Sequence, residues 1–434
     1  MSIDNAAVAA LGDRTIGPEH KGMPPESWGR TVREFLATAP TLDRLETPIL
    51  TIDRAAVAAN IAIMADWVGA AGVRLAPHGK TTMAPQLWAD QLAAGSWGIT
   101  LATIWQTQVA RSFGVGRVLL ANSLVDPVGL RWVAAESARD PSFEFTCWAD
   151  SVETVALMQE QLSALPGAQR IRVLVELGGP HGRTGARTVE QALAVAREID
   201  AASRLTLAGV GGYEGALAHD RTPDGIRAVR DYLDGLERLH REIDAAGLYR
   251  GPAIVTAGGS AYPDLVVERL APLADEEGAR GTVTTVVLRS GAYLIHDDGF
   301  YAGISPLAPP RSEKPLRSAM HGWARALSRP EPTLALLDAG KRDLPYDEGL
   351  PVPQRVAGPE GAALDPDATV SALNDQHTFL RLPGGAATEL PIGTVVRLGL
   401  SHPCTAFDKW RLIPVIDDAE APMPRVVDFL HTFF

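Results

Sequence analysis

Apolar and polar positions alternate along this chain in a repeating two-part rhythm. Short apolar runs at 73–77, 98–103, 117–122, 143–148, 171–177, 205–213, 253–257 and 283–289 read as buried strands. Between them, apolar residues recur at helical spacing over 84–94, 106–113, 127–137, 152–164, 189–202, 225–246 and 262–270. An earlier run at 47–52 reads as one more strand, with Asp53 as the N-cap of a helix reaching Val68. Eight strands alternating with helices predict a closed (β/α)8 barrel. A doubly wound open sheet is the alternative that alternation alone leaves. After Phe300 the rhythm stops. Prolines cluster at Pro306, Pro309, Pro310 and Pro315, then at Pro330 and Pro332. Short runs at 333–337, 378–382, 395–400 and 412–416 predict strands. The stretch 341–367, rich in Pro, Gly and Asp, reads as an irregular connection. The expected fold class is therefore α/β, a TIM-type barrel over 47–304 with a C-terminal β domain over 305–434. Segment 1–46 is expected to pack on the β domain.

Composition narrows the setting. The chain has 434 residues, enough for about two domains, with 46% apolar and 21% charged residues. Its formal net charge is -12 and no Lys/Arg-rich run stands out, which argues against nucleic acid and anionic membrane as partners. Two cysteines, Cys147 and Cys404, make no disulfide framework and point to a reducing compartment. The first residues lack a basic stretch followed by a long apolar core, and no uncharged apolar run is long enough for a membrane span. A cytoplasmic protein is expected.

In a barrel of this kind, chemistry collects in the loops at the carboxyl ends of the strands. The first such loop holds Pro77-His78-Gly79-Lys80-Thr81-Thr82. Lys80 stands where a strand hands over to a helix, a place that can shelter an amine and let it form a Schiff base; a plain surface lysine is the other reading. The fifth loop carries Arg183, which can pair an anionic oxygen or lie free on the surface. The sixth ends in Tyr213, a ring or hydroxyl contact or simply a cap on the core. Gly258-Gly259-Ser260 follows the seventh strand and Ser290-Gly291 the eighth. Such turns can cradle a phosphate with backbone N–H groups, although a tight turn needs no ligand. A lysine opposite a phosphate cradle suggests a phosphorylated aldehyde, and pyridoxal phosphate fits; a barrel aldolase whose lysine attacks a sugar phosphate is the competing reading. Near the C-terminus, His402 and Cys404 form a His-x-Cys pair. It is either a zinc site or a buried cysteine beside a hydrogen-bonded histidine. His377 is a candidate acid/base or a core histidine.

Taken in order, these stretches resemble the pyridoxal-phosphate enzymes of the alanine-racemase-like barrel fold, and within them the D-threonine aldolase and D-serine dehydratase group. The resemblance rests on Pro77-His78-Gly79-Lys80-Thr81, Gly98-Ile99-Thr100-Leu101-Ala102-Thr103, Leu119-Leu120-Ala121-Asn122, His181-Gly182-Arg183-Thr184-Gly185, Gly212-Tyr213-Glu214-Gly215, Ala257-Gly258-Gly259-Ser260, Arg289-Ser290-Gly291-Ala292-Tyr293, Asp375-Gln376-His377 and His402-Pro403-Cys404. It implies that Lys80 is the Schiff-base lysine and α-proton base, with His377 as a second catalytic candidate. It implies that Arg183 and Tyr213 contact the cofactor ring and that Gly258, Gly259 and Gly291 lie at its phosphate; His78, Ser260, Ser290 and Tyr293, on the same loops, are further candidate cofactor contacts. It implies a divalent metal on His402 and Cys404, and a homodimer acting on a small D-amino acid. In the group this chain resembles, dehydratases carry His-x-Cys with zinc and aldolases tend toward His-x-Asp with manganese or another divalent ion, because thiolate favours zinc and carboxylate harder cations. With Cys404 in that slot, the resemblance implies dehydration of a β-hydroxy D-amino acid to a 2-oxo acid and ammonia. Retro-aldol cleavage is the alternative reaction, and a non-catalytic pyridoxal-phosphate carrier the alternative class. A racemase would need a second base, and none is identified. Where the group commonly continues with His and Lys after the lysine motif, this chain has Thr82 and Met83.

Overall fold

A computed structural model describes residues 2–165, 169–180, 182–358, 361–383 and 390–434. By its own contacts the chain divides into two units. The first comprises Met64–Lys80 and Gln91–Gly291 together with the N-terminal residues up to Asp4; the second comprises Asn5–Ile63, Thr81–Asp90 and Ala292–Phe434.

In chain order, β1 (Ile49–Asp53) lies in the second unit. Then β2 (Arg74–Leu75), β3 (Ile99–Leu101), β4 (Arg117–Ser123), β5 (Glu144–Ala149), β6 (Ile171–Leu177), β7 (Leu205–Gly212), β8 (Ala253–Ala257) and β9 (Thr284–Leu288) build the first unit. These eight pair in parallel in the order β2-β9-β8-β7-β6-β5-β4-β3. Trp97 N donates to Leu75 O at 2.7 Å and Thr100 N to Pro77 O at 2.9 Å, and His78 bridges Thr100 in parallel. Those bonds join the β2 end to β3 and close the ring, so the barrel expected from the alternation is the observed architecture, not the open sheet. Five successive loops end in a residue whose side chain accepts an N–H of the following helix: Thr103, Asp126, Ser151, Thr188 and Thr222. Each such cap stabilises its helix start by about 1 kcal/mol. The helix Pro223–Ala245 buries Val229, Leu233, Leu236, Leu239 and Ile243, the three-and-four spacing that faces a sheet.

The barrel interior is filled by Ala76, Leu119, Ala121, Trp148, Leu174, Ala208, Ile254 and Val287. Three alanines leave room for the Trp148 indole, a large-against-small fit typical of small barrels. Between β6 and β7 the register slips: Val173 faces Leu207, but Leu174 faces Gly209. The extra residue is a bulge. Gly209 has φ +139°, and a Cβ there would lie 1.9 Å from the Ile254 carbonyl oxygen.

The second unit contains a nine-stranded sheet. To β1 it adds β10 (Met320–Glu331), β11 (Leu334–Leu337), β12 (Val352–Val356), β13 (Thr369–Leu373), β14 (Thr378–Arg381), β15 (Val395–Gly399), β16 (Leu412–Ile416) and β17 (Val426–His431). All its pairs are antiparallel except β1 with β16. The run 47–52, grouped with the barrel by alternation, is thus a strand of this sheet. Within it β1 is buried at every position, and its ladder partners are β10 and β16. The stretch 341–367 is not wholly irregular, because β12 pairs with β15. From segment 1–46, Leu42 N bonds Pro424 O, and Pro40 O accepts Val426 N. No helix among the described residues is long and apolar enough to cross a membrane.

Gly209→Ala should lower stability by about 1–3 kcal/mol, since it imposes a strained backbone region and a clash with a neighbouring strand. Urea unfolding of the two proteins checks this; equal midpoints would mean the bulge relaxes freely.

Candidate active site and metal pair

Parallel strands deliver all their carboxyl ends to one rim. After β2 the short turn Gly79–Thr81 carries Lys80, which is half-buried. His78 has its Nδ1 buried with no hydrogen-bond partner among the described residues. Burial, reinforced by the charges of Lys80, Arg289 and Arg183, pushes the His78 imidazole well below its ordinary pKa. It is therefore neutral. The Arg183 guanidinium lies 5.1 Å from the centre of the Tyr213 ring. That ring sits 2.9 Å from where a Cβ on Gly259 would project. A Cβ on Gly291 would meet the His78 carbonyl oxygen at 2.6 Å. Ser290 Oγ donates to Gly259 O at 2.6 Å. The first unit thus brings together Lys80, His78, Arg183, Tyr213, Gly258, Gly259, Ser290 and Gly291, with Ser260 half-buried next in the chain. Tyr293 falls in the second unit, buried in the turn Ala292–Leu294. His181 lies outside the described residues.

The glycine turn differs from expectation in one respect. Gly258 N and Gly259 N both donate to the Glu214 carboxylate, at 2.9 and 2.8 Å. The anion at these two amides is the chain's own side chain, because a buried carboxylate needs donors and these amides supply them. They are not open to a phosphate. Burial raises the Glu214 pKa, while the two amides and Arg289 favour its charge. Arg289 is itself buried and donates to Thr256 Oγ1 at 2.7 Å and to Gly212 O. It lies 4.9 Å over the Trp148 ring. Glu176 accepts from Thr184 Oγ1 at 2.7 Å, yet its Oε2 is buried without a partner among the described residues, as is Trp148 Nε1.

Glu214, Arg289, Glu176 and Trp148 had no assigned role in the sequence reading. One signal was present: Glu176 and Arg289 are charges at the carboxyl ends of apolar runs, where burial without function is costly. The partnerless atoms His78 Nδ1, Trp148 Nε1 and Glu176 Oε2, with Lys80 and two arginines, suit an anionic aromatic ring with polar edges. The residues present therefore fit pyridoxal phosphate, with Ser260, Ser290 and Gly291 left for its phosphate.

In the second unit, His402 and Cys404 flank Pro403 at the start of the helix Pro403–Phe407. His402 has φ +58°, a left-handed backbone rare for a non-glycine residue. Its N–H donates to the buried Asp297 carboxylate at 3.2 Å. Its Nδ1 lies 2.5 Å from Asp347 Oδ2. Cys404 Sγ lies 3.5 Å from the hydroxyl of Thr81, the residue after Lys80 in the chain. Burial opposes a charge on the His402 ring, yet Cys404 and Asp347 lift its pKa to about 9. An imidazole and a thiol meeting in this way suit zinc. Among the described residues, no group of three His, Cys, Asp or Glu side chains is placed to hold a metal, so the pair would leave coordination positions to water or substrate. His377 lies elsewhere in the chain, on the segment before β14. It is half-buried in the turn between β13 and β14, where its carbonyl accepts Asn374 N at 2.9 Å. Thr82 and Met83 are buried, and Met83 O accepts Phe433 N, so these two departures from the family pattern are packing positions.

Residues 319–416 match the model of the putative serine dehydratase domain. A D-threonine aldolase from Arthrobacter sp is 27% identical over 382 residues, covering 87% of this chain and 90% of the relative. The D-threo-3-hydroxyaspartate dehydratase of Delftia sp. strain HT23 is 25% identical over 370 residues, covering 84% and 92%. A 3-hydroxy-D-aspartate aldolase of Paracoccus denitrificans strain Pd 1222 is 26% identical over 335 residues, covering 74% and 80%. Among solved structures, D-threonine aldolase from Filomicrobium marinum has a TM-score of 0.74 at 24% identity, over 90% of this chain and 96% of that one. An alanine-racemase-like protein from Idiomarina loihiensis has a TM-score of 0.68 at 19% identity, over 89% and 96%. The fold is alanine-racemase-like, and the resemblance drawn from the motifs holds.

Glu214→Ala should cost about 3 kcal/mol of stability, because it strips two buried amides and a buried arginine of their anion. Chemical denaturation measures it. A loss under about 1 kcal/mol would mean that water replaces the carboxylate at no cost.

Proposed function

We propose that this relative of the D-threonine aldolase and D-serine dehydratase group is a pyridoxal-phosphate-dependent D-amino acid lyase. The reaction proposed is dehydration and deamination of a D-amino acid with a β-hydroxyl, giving a 2-oxo acid and ammonia. The relatives act on D-threonine and on 3-hydroxy-D-aspartates, and each of these carries a hydroxyl on Cβ. What favours dehydration is the pairing of His402 with a thiol, Cys404, at the start of one helix, the His-x-Cys pattern of the dehydratases in the resembled group. Zinc is the ion this pair suits.

When bound, the cofactor supplies a sink for the electrons left at Cα, and a divalent ion supplies positive charge to the β-oxygen. The chain's own residues do the rest. Lys80 Nζ would hold the cofactor and serve as the base for the substrate's Cα proton. Neutral His78 and buried Arg289 set the electrostatics beside Lys80. Arg183 and Tyr213 would contact the cofactor ring, and Ser260 with Ser290 and Gly291 would receive its phosphate. His402 and Cys404 would hold the ion. Cleavage to glycine and an aldehyde is the second reading, favoured by the Arthrobacter relative.

Incubation with D-threonine separates the two: 2-oxobutanoate marks dehydration, whereas acetaldehyde with glycine marks cleavage. Lys80→Ala should abolish the visible band of lysine-bound cofactor and lower turnover roughly a thousand-fold or more; a retained band would remove Lys80 from its role. Chelator treatment should stop turnover and leave that band intact, and undiminished turnover would take the metal out of the reaction.

A further inference from the structure

We propose that Asp347 is the positioning residue of the metal pair: it fixes the His402 ring so that Nε2 alone faces the ion. This rests on the reading of His402 and Cys404 as metal ligands. An imidazole has two nitrogens, and only one can bind a given ion. Here Asp347 Oδ2 occupies Nδ1 at 2.5 Å. With Nε2 on the ion, the ring's one remaining proton sits on Nδ1, and the carboxylate that accepts it makes Nε2 the stronger donor.

The carboxylate is itself held. Its other oxygen accepts Thr405 Oγ1 at 2.6 Å, from the residue just after Cys404. Ser401 Oγ donates to Glu348 O at 2.7 Å, tying the neighbouring residue to the same stretch. On the backbone side, Asp297 takes His402 N at 3.2 Å, while its other oxygen accepts the amides of Gly299, Tyr301 and Ala302 at 3.0, 2.8 and 3.2 Å. Two carboxylates thus set one histidine, Asp297 its unusual backbone and Asp347 its ring. A surface ion pair would need none of these supports. The neighbouring segment is anchored in turn: Trp410 Nε1 donates to Asp343 O at 2.9 Å, and Lys21 Nζ and Gln376 Nε2 both reach the Asp343 carboxylate at 3.1 Å. Asp347 therefore stands on a braced stretch rather than a free loop.

The test is zinc affinity of the cofactor-loaded protein, read by competition with a chromophoric chelator. Cobalt(II) replaces zinc in a parallel series, so that the thiolate-to-cobalt band reports the Cys404 bond. Asp347→Ala and Asp347→Asn should weaken zinc binding about 10–100-fold, with cofactor absorbance and the unfolding midpoint of the metal-free protein unchanged. Asp347→Glu should recover part of the loss. Wild-type affinity in both Asp347 variants, in a series where His402→Ala or Cys404→Ser loses zinc, overturns the role of Asp347 and leaves the metal pair standing. Zinc retained by His402→Ala and Cys404→Ser alike overturns the metal reading, and this proposal with it.

Discussion

A strand of two residues closes the barrel, and the place of Lys80 depends on it. Ala76 N bonds Leu288 O on one side at 2.8 Å, while Thr100 N bonds Pro77 O on the other at 2.9 Å. Thr100 Oγ1 adds a bond to Ala76 O at 2.6 Å. Buried backbone groups must be paired, so β9 and β3 between them leave this segment one register. The chain then leaves the ring at His78 and turns through Gly79–Thr81. Gly291 permits that exit, since any side chain there would strike the His78 backbone. Closure of the ring and delivery of the lysine are one event.

Behind the lysine the barrel carries charge where most barrels carry only apolar layers. Arg289, Glu214 and Glu176 are buried at the strand ends, and Arg289 is coupled to the ionisation of both carboxyl groups. Burial alone would neutralise them. Amides of Gly258 and Gly259, the Thr184 and Thr256 hydroxyls and the Gly212 carbonyl keep them satisfied. The result is a fixed polar floor with a few atoms still open. Such a floor costs stability when empty and is repaid when a ligand with matching polar edges is bound, which is a common signature of a cofactor site.

The second unit solves a different problem. It holds His402, two residues before Cys404, in a left-handed backbone that a non-glycine residue seldom adopts. A left-handed residue of this kind costs about 1–3 kcal/mol and persists only where its surroundings over-determine it. Asp297 and Asp347 supply that determination from two separate loops.

The eight-strand rhythm, the helix starts and the motifs of the barrel rim were legible in the sequence, because parallel strands buried on both faces read as unbroken apolar runs and their loops collect chemistry in a known order. The residues around Lys80 could be chosen for the same reason. The allegiance of β1 was not legible: a fully buried strand has one appearance in either kind of sheet, and only its ladder partners separate them. β10 and β12 were hidden by Gly, Pro and Arg, and packing overrides such local preferences. Tyr293 followed a rim motif by sequence, yet its contacts group it with the other unit. The occupation of the Gly258-Gly259 amides by Glu214, and the grip of Asp347 on His402, join residues 44 and 55 positions apart in the chain. No local pattern encodes such pairs, because buried charges select their partners by distance and desolvation, and both exist only once the chain has folded.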